Sequence, residues 1–242
     1  MHLHVQKDAD SLSLELAEWI IADIQKTLVL KERYALVLSG GSTPKKLYEL
    51  LASGHYRDRI DWQKIDFFWG DERYVPFDDE RNNGKMAYDT LLKHVPVLQS
   101  QVYLMDTTQD PESSAQEYEK ILRRYFDNQP ATFDLVLLGM GDDGHTLSLF
   151  PGTPVVHEQK KWVAAPYVQA QEMYRITLTA PVVNLSAAVA FLVSGEKKAQ
   201  TLQAVINGEY HPDVYPSQVI QPRNGNLHWF IDAAAGNLLV RE

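Results

Sequence analysis

The segment Gly139-Met140-Gly141-Asp142-Asp143-Gly144-His145 gathers three glycines, two carboxylates and an imidazole in one short stretch. It follows Phe-Asp-Leu-Val-Leu-Leu (residues 133–138), apolar almost throughout, as a strand buried on both faces must be. An imidazole titrates near neutrality and can take a proton from water, while a neighbouring carboxylate fixes its tautomer. The glycines leave backbone N–H groups free to face a developing oxyanion. His145 is therefore the candidate general base. The same glycines also spell G-x-G-x-x-G, a dinucleotide fingerprint that requires a long following helix and an acidic residue at the end of the next strand. Pro151 and Pro154 cut any helix here to roughly two turns, and the strand expected at 162–165 ends without a carboxylate. A nicotinamide site is rejected on those grounds.

Two further loops carry candidate chemistry. Leu38-Ser39-Gly40-Gly41-Ser42-Thr43-Pro44 leads from an apolar run into a helical segment. Gly40 and Gly41 allow close backbone approach, Ser42 and Thr43 bring hydroxyls, and Pro44 suits the first helical position. The free N–H groups of such a helix terminus form a phosphate site. A tight strand-to-helix turn with Thr43 as N-cap accounts for the same residues equally well. The loop is not a Walker motif, because no G-x-x-x-x-G-K-[ST] is present. In Trp69-Gly70-Asp71-Glu72-Arg73-Tyr74-Val75-Pro76, Arg73 can fork onto phosphate or carboxylate oxygens and Asp71 can accept a proton or a substrate hydroxyl. A solvated ion-pair turn is the simpler account of that charge.

Other chemistries find no support. There is no G-x-S-x-G elbow and no H-E-x-x-H helix. His2 and His4 share one face of an expected strand with no third ligand evident, and His55, His94, His157, His211 and His228 read as structural or surface residues. Cysteine is absent, which removes disulfides, thiolate nucleophiles and cysteine-based zinc sites.

The elements that must position these loops alternate along the chain. Strands are expected at His2–Gln6, 34–38, 65–69, 102–105, 133–138, 162–165, 176–179, 187–193 and 227–231. Helices are expected at 11–28, 44–51, 85–92, 111–126 and 196–206, the first marked by Leu12, Leu16, Trp19, Ile20, Ile24 and Leu28 at helical spacing. Such alternation implies a largely parallel, layered α/β sheet, whose ligands sit beyond the carboxyl ends of the strands. No repeat or linker divides the 242 residues, so residues 1–242 are read as one domain.

Composition sets the outer bounds. Hydrophobic residues make up 45% and charged residues 23%, which excludes wholesale disorder. A formal net charge of −9 argues against nucleic acid or an anionic membrane as main partner, yet leaves room for a small phosphorylated ligand held by a few focused cations. The first residues lack a basic segment followed by an apolar run, and no apolar run is long enough to span a bilayer, so a soluble cytoplasmic protein is expected.

Taken together, the segments resemble the 6-phosphogluconolactonase family, relatives of the glucosamine-6-phosphate deaminases. The resemblance is carried by Ser39-Gly-Gly-Ser-Thr-Pro44 with Leu47-Tyr48, Asp71-Glu-Arg-Tyr-Val-Pro76 followed by Arg81-Asn-Asn83, and Gly139-Met-Gly-Asp-Asp-Gly-His-Thr-Leu-Ser-Leu-Phe-Pro151. Arg175-Ile-Thr-Leu-Thr-Ala-Pro181 with Asn184, Gly195-Glu-Lys-Lys198 and Asp232-Ala-Ala234 extend it over nearly the whole chain. It implies a three-layer, mostly parallel Rossmann-like sheet with helices on both faces, similar to the glucosamine-6-phosphate deaminase/ribose-5-phosphate isomerase/CoA-transferase-like fold. It also implies hydrolysis of 6-phospho-D-glucono-1,5-lactone, the second step of the oxidative pentose phosphate pathway, with no cofactor or metal and in functional sequence with glucose-6-phosphate dehydrogenase. A monomer or small homo-oligomer fits that role.

By the same resemblance His145 is the base, Asp71 and Arg73 act beside it, and Gly40, Gly41, Ser42, Thr43, Asp143, Gly144, Arg175 and Lys198 bind substrate. Arg175 and Lys198 as cations for the phosphate rest on it alone. Related deaminases resemble Asp-Gly-His followed by a segment ending Asn-Glu-Pro, with a glutamate that assists ring opening. Here Phe150 stands in its place, and Arg73 stands where the deaminases resemble a tyrosine, so both departures favour a lactonase. Leu147 occupies a position where the family often has a smaller residue.

Overall fold

The computed structural model describes residues 1–127 and 129–239. Its strands are β1 (His2–Gln6), β2 (Tyr34–Leu38), β3 (Ile65–Trp69), β4 (Asp71–Arg73), β5 (Leu135–Gly139), β6 (Val163–Ala164), β7 (Tyr167–Val168), β8 (Met173–Leu178), β9 (Ala188–Val193) and β10 (Leu227–Asp232). Its helices are α1 (Ala9–Leu28), α2 (Ser42–Leu51), α3 (Gly54–Arg57), α4 (Asn83–Thr90), α5 (Pro111–Tyr125), α6 (Ala180–Val183) and α7 (Ala199–Asn207). None of the described helices is long and apolar enough to cross a membrane.

The continuous apolar runs become the central strands because every residue of β2, β3 and β9 is buried, leaving no face for polar alternation. They lie in one all-parallel sheet of order β1-β10-β9-β5-β2-β3. α1 starts where the Asp8 carboxylate accepts from Ser11 N at 2.8 Å, and its apolar stripe of Leu12, Leu16, Ile20 and Ile24 is buried. Each such side chain contributes about 1.5–3 kcal/mol by leaving water. α1 packs on β1, β2 and β10, and α1, α2 and α4 pack in series. α5, capped by Asp110 and opened by Pro111, packs instead against β6 and β8. The layered, mostly parallel α/β architecture expected from the sequence is the one observed.

The strand order sets where a ligand goes. From β2 the chain moves outward to β3, then returns past β2 to place β5 on its other side. β2 and β5 are thus the neighbours at which the winding reverses, and a crevice opens beyond their carboxyl ends. The loops that leave those two ends are Ser39-Gly40-Gly41 and Gly139–His145.

A second, antiparallel sheet of order β4-β8-β6, with β7 also paired to β8, stands beside this crevice. Gly70 is the joint between the sheets: its N–H donates to Leu38 O at 3.0 Å, and its carbonyl accepts from Leu178 N at 2.8 Å. Residues 162–165 and 176–179 therefore do not continue the parallel sheet, contrary to expectation. β8 pairs with Asp71–Arg73, a strand where a charged loop was expected, with Asp71 in register with the buried residue Thr177, and β6 pairs with the other edge of β8.

Smaller corrections follow from tertiary pairing. Of 102–105 only Val102 bridges to Phe67, so no strand forms there. Residues 196–198 form a 3-10 turn before α7, and between His145 and β6 the chain forms no α-helix, only a 3-10 turn at Pro154–His157. α2 begins at Ser42 with Gly41 at its cap position, φ 109°, and no side-chain cap, so Thr43 is not the N-cap and Pro44 sits two positions deeper than expected.

Candidate active site

The loop after β5 closes on itself before it presents anything. Gly141 N donates to His145 O at 2.8 Å and Gly144 N to Gly141 O at 3.1 Å. Those two amides are spent inside the loop, so the expectation that they would face an oxyanion fails. Gly144 has φ 78° and lies under Tyr215 and Thr201, while its carbonyl accepts from Ser217 N and Oγ. It turns the chain rather than lining the cleft. Thr146 Oγ1 donates to Gly139 O at 2.8 Å and fixes the far end of the loop.

The result is a fixed imidazole. Asp143 Oδ1 lies 2.5 Å from His145 Nδ1 and also accepts the His145 backbone N–H at 3.1 Å. Burial works against the Asp143 charge, but the hydrogen bonds and charge of His145 outweigh it and hold this carboxyl below its ordinary range. An anionic partner takes the protonated nitrogen, which leaves the Nε2 lone pair as the basic position. The ring also stacks on Phe150, centroids 4.2 Å apart and planes at 24°. Asp142, next door, does different work: its carboxylate pairs with Lys198 Nζ at 2.6 Å, and its carbonyl accepts from Thr201 Oγ1.

His145 faces a cleft of about 250 Å³. Among the predicted residues, Gly40, Gly41, Asp71, Arg73, His145 and Arg175 line it. Ser42, Thr43, Asp143, Gly144 and Lys198 do not; Ser42 lies exposed beyond Gly41, and Lys198 is paired with Asp142. Residues with no predicted role also line it, chiefly Asn83, Leu147 and Gln171. Leu147 takes φ 54°, and it fits because Gly70 opposite has no side chain: a Cβ there would lie 2.7 Å from Leu147 Cδ2.

The two arginines are direct partners across the β4–β8 ladder. Arg175 is only 5% exposed, with Nη1 3.6 Å from Asp71 Oδ2 and Nη2 donating to the Gln171 amide oxygen. Burial lowers its pKa, Asp71 counters this, and Arg73 adds to the lowering. Arg73 Nη1 donates to Arg81 O at 2.7 Å. The buried Nε atoms of both arginines have no hydrogen-bond partner among the described residues. Such a pair of confined, under-satisfied guanidinium groups is suited to oxyanions.

Asp71 holds the arginine side of the cleft together. Its Oδ2 accepts from Ser148 Oγ at 2.6 Å, and its carbonyl accepts from Asn83 Nδ2 at 2.9 Å. It is thus an anchor with its oxygens engaged. Glu72 points the other way, 3% exposed, and accepts from the backbone N–H groups of Arg73, Asn83 and Gly84. Burial pushes its carboxyl up to about 7 against those three bonds. A sequence signal for Asn83 existed in the Asn82-Asn83 pair: Asn82 caps α4 through Lys85 N at 2.8 Å, which brings Asn83 to the cleft. Gln171 had none.

Elsewhere, His228 joins His2 and His4 in a stacked group on β1 and β10, with His4 Nε2 3.1 Å from His228 Nδ1. Among the described residues no group of three or more histidine, aspartate or glutamate side chains is arranged to hold a metal ion.

Known proteins are similar to this chain in sequence and in fold. The chain is similar to a 6-phosphogluconolactonase of Synechocystis sp., 40% identical over 220 residues that cover 89% of each chain. Its structure is similar to that of a 6-phosphogluconolactonase from Trypanosoma cruzi, with a TM-score of 0.87 at 28% identity over 99% of this chain and 97% of that one. A monomeric glucosamine-6-phosphate deaminase, 21% identical, shares the fold with a TM-score of 0.85 over 98% of this chain and 100% of that one. The family model for glucosamine-6-phosphate isomerases/6-phosphogluconolactonase matches residues 7–229, and the chain belongs to that family.

Proposed function

We propose that the protein hydrolyses 6-phospho-D-glucono-1,5-lactone to 6-phospho-D-gluconate, acting in the cytoplasm on the lactone released by glucose-6-phosphate dehydrogenase. The observation that carries this reading is His145, with Nδ1 on Asp143 and Nε2 open to a cleft lined by Arg73 and Arg175. Nε2 takes a proton from water, the water oxygen attacks the lactone carbonyl, and Arg73 faces the oxyanion. Collapse of the adduct breaks the bond to the ring oxygen, which His145 then protonates. A positioned base supplies about 10²–10⁴-fold and one oxyanion donor about 10²–10³-fold. A δ-lactone already opens in water, so factors of that size suffice.

The phosphate in this reading docks on Gly40, Gly41 and the first N–H groups of α2 at Ser42 and Thr43, with Arg175 and Lys198 supplying charge. Phe150 supports lactonase over deaminase chemistry, because it covers one face of the imidazole with an apolar ring where ring opening of an aminosugar would call for a carboxylate. The family membership and the names of the similar proteins support the same choice. Residues 1–242 act here as one catalytic domain. The test is to generate the lactone with glucose-6-phosphate dehydrogenase and follow its decay with and without this protein. Acceleration at catalytic concentrations is expected; unchanged decay sinks the proposal.

A further inference from the structure

Arg175 presents a geometric problem for any ligand. It lines the cleft, yet it is 5% exposed. Asp71 lies on one side of its guanidinium at 3.6 Å, and the Gln171 amide oxygen accepts from Nη2 on the other. Gln171 belongs to the exposed 3-10 turn Gln169–Gln171 that links β7 to β8, and the next residue, Glu172, has φ 50°. A buried cation is therefore covered by a neutral side chain carried on a surface turn, the kind of segment that opens at lowest cost.

We propose that Gln171 is a displaceable stand-in for the substrate and sets the charge preference of the cleft. Its amide oxygen satisfies one Arg175 donor in the free protein and yields that donor to an anionic oxygen of the ligand. A neutral acceptor suits this role. It relieves the penalty of an unsatisfied buried donor, adds no negative charge to that of Asp71, and loses to an anion because an anionic acceptor adds ion–ion attraction that a neutral amide lacks. A carboxylate at the same position would place a second anion on Arg175 beside Asp71 and compete with the ligand as an equal. The inference rests on the reading of Arg175 as a substrate contact.

Three variants test it: Gln171→Glu, Gln171→Ala and Arg175→Gln, each checked for folding by thermal melting and assayed with the phosphorylated lactone, with inorganic phosphate as competitive inhibitor. Gln171→Glu is expected to raise KM and the phosphate inhibition constant about tenfold or more, with kcat within about twofold. Gln171→Ala is expected to leave KM unchanged or lower it. If Gln171→Glu matches the unmodified protein while Arg175→Gln raises KM, the stand-in role is wrong and the site reading stands. A several-fold rise in KM for Gln171→Ala also overturns it, because Gln171 would then be a direct ligand. If folded Arg175→Gln keeps KM and phosphate inhibition unchanged, Arg175 is no substrate contact and both readings fall.

Discussion

Asp143 Oδ1 lies 2.5 Å from Nδ1 of His145, and this one contact orients the imidazole that the proposed hydrolysis uses. Phe150 stacked on the ring leaves little freedom for rotation about the side chain. His145→Ala is expected to lower kcat about 10²–10⁴-fold while inorganic phosphate and 6-phosphogluconate still bind, since the cations remain. Asp143→Asn should give an intermediate loss, because an amide can orient the ring but cannot stabilise the imidazolium. Steady-state kinetics with calorimetry separate the two effects, and near-normal kcat in His145→Ala would remove His145 from the mechanism.

Gly141 makes that contact possible by having no side chain. A Cβ there would lie 2.1 Å from His145 Nδ1 and 2.5 Å from Asp143 Oδ1, so both side chains would have to move from these positions. Gly141→Ala should therefore separate the pair and lower kcat nearly as far as His145→Ala, with thermal stability changed much less than activity. A variant with normal turnover would show that the pair can shift without consequence.

The central sheet and the His145 loop were legible because burial on both faces writes a strand as an unbroken apolar run, and glycines around a histidine are rare furniture for a buried strand's end. The second sheet was not. β4 reads Asp-Glu-Arg, and nothing local distinguishes it from a solvated turn; its strand character comes from β8, far along the chain. Glu72 looked like surface charge for the same reason, and only α4 brings the backbone donors that bury it. Asp142 and Asp143 are neighbours of one type, and their division between Lys198 and His145 depends on which way the loop turns. Gln171, an exposed glutamine in a polar stretch, carries no mark at all until Arg175 is seen beneath it.

Glu72 makes stability depend on pH in a direction opposite to that of a salt-bridged carboxylate. Burial raises its pKa from 4.5 to about 7, so between those values the folded chain keeps a proton that the unfolded chain has released. The contribution is complete below about 4.5 and is lost as pH rises through about 7. Its span is up to about 3 kcal/mol, at about 1.4 kcal/mol per pKa unit. Urea unfolding of the unmodified protein and Glu72→Gln, measured across this window, should show the unmodified protein losing stability relative to Glu72→Gln as pH rises from about 4.5 to about 7. Parallel curves would mean that the three backbone donors, not burial, control the group.

Lys198 supplies the prediction that separates phosphate recognition from catalysis. Its ammonium is paired with Asp142 at 2.6 Å, and it is not among the groups lining the cleft around His145. In the proposed reading it meets the phosphate of a ligand whose lactone ring lies at His145 and makes no contact with the carbonyl. Lys198→Ala should accordingly raise KM for the phosphorylated lactone several-fold and leave kcat near normal. Unphosphorylated glucono-1,5-lactone is the control: its hydrolysis should be slow in both proteins and insensitive to the substitution. Asp142→Asn should act in the opposite sense, freeing the ammonium and lowering KM, provided the Thr201 bond to the Asp142 carbonyl keeps the loop in place. Equal effects of Lys198→Ala on the two lactones would show that Lys198 holds the loop and not the phosphate.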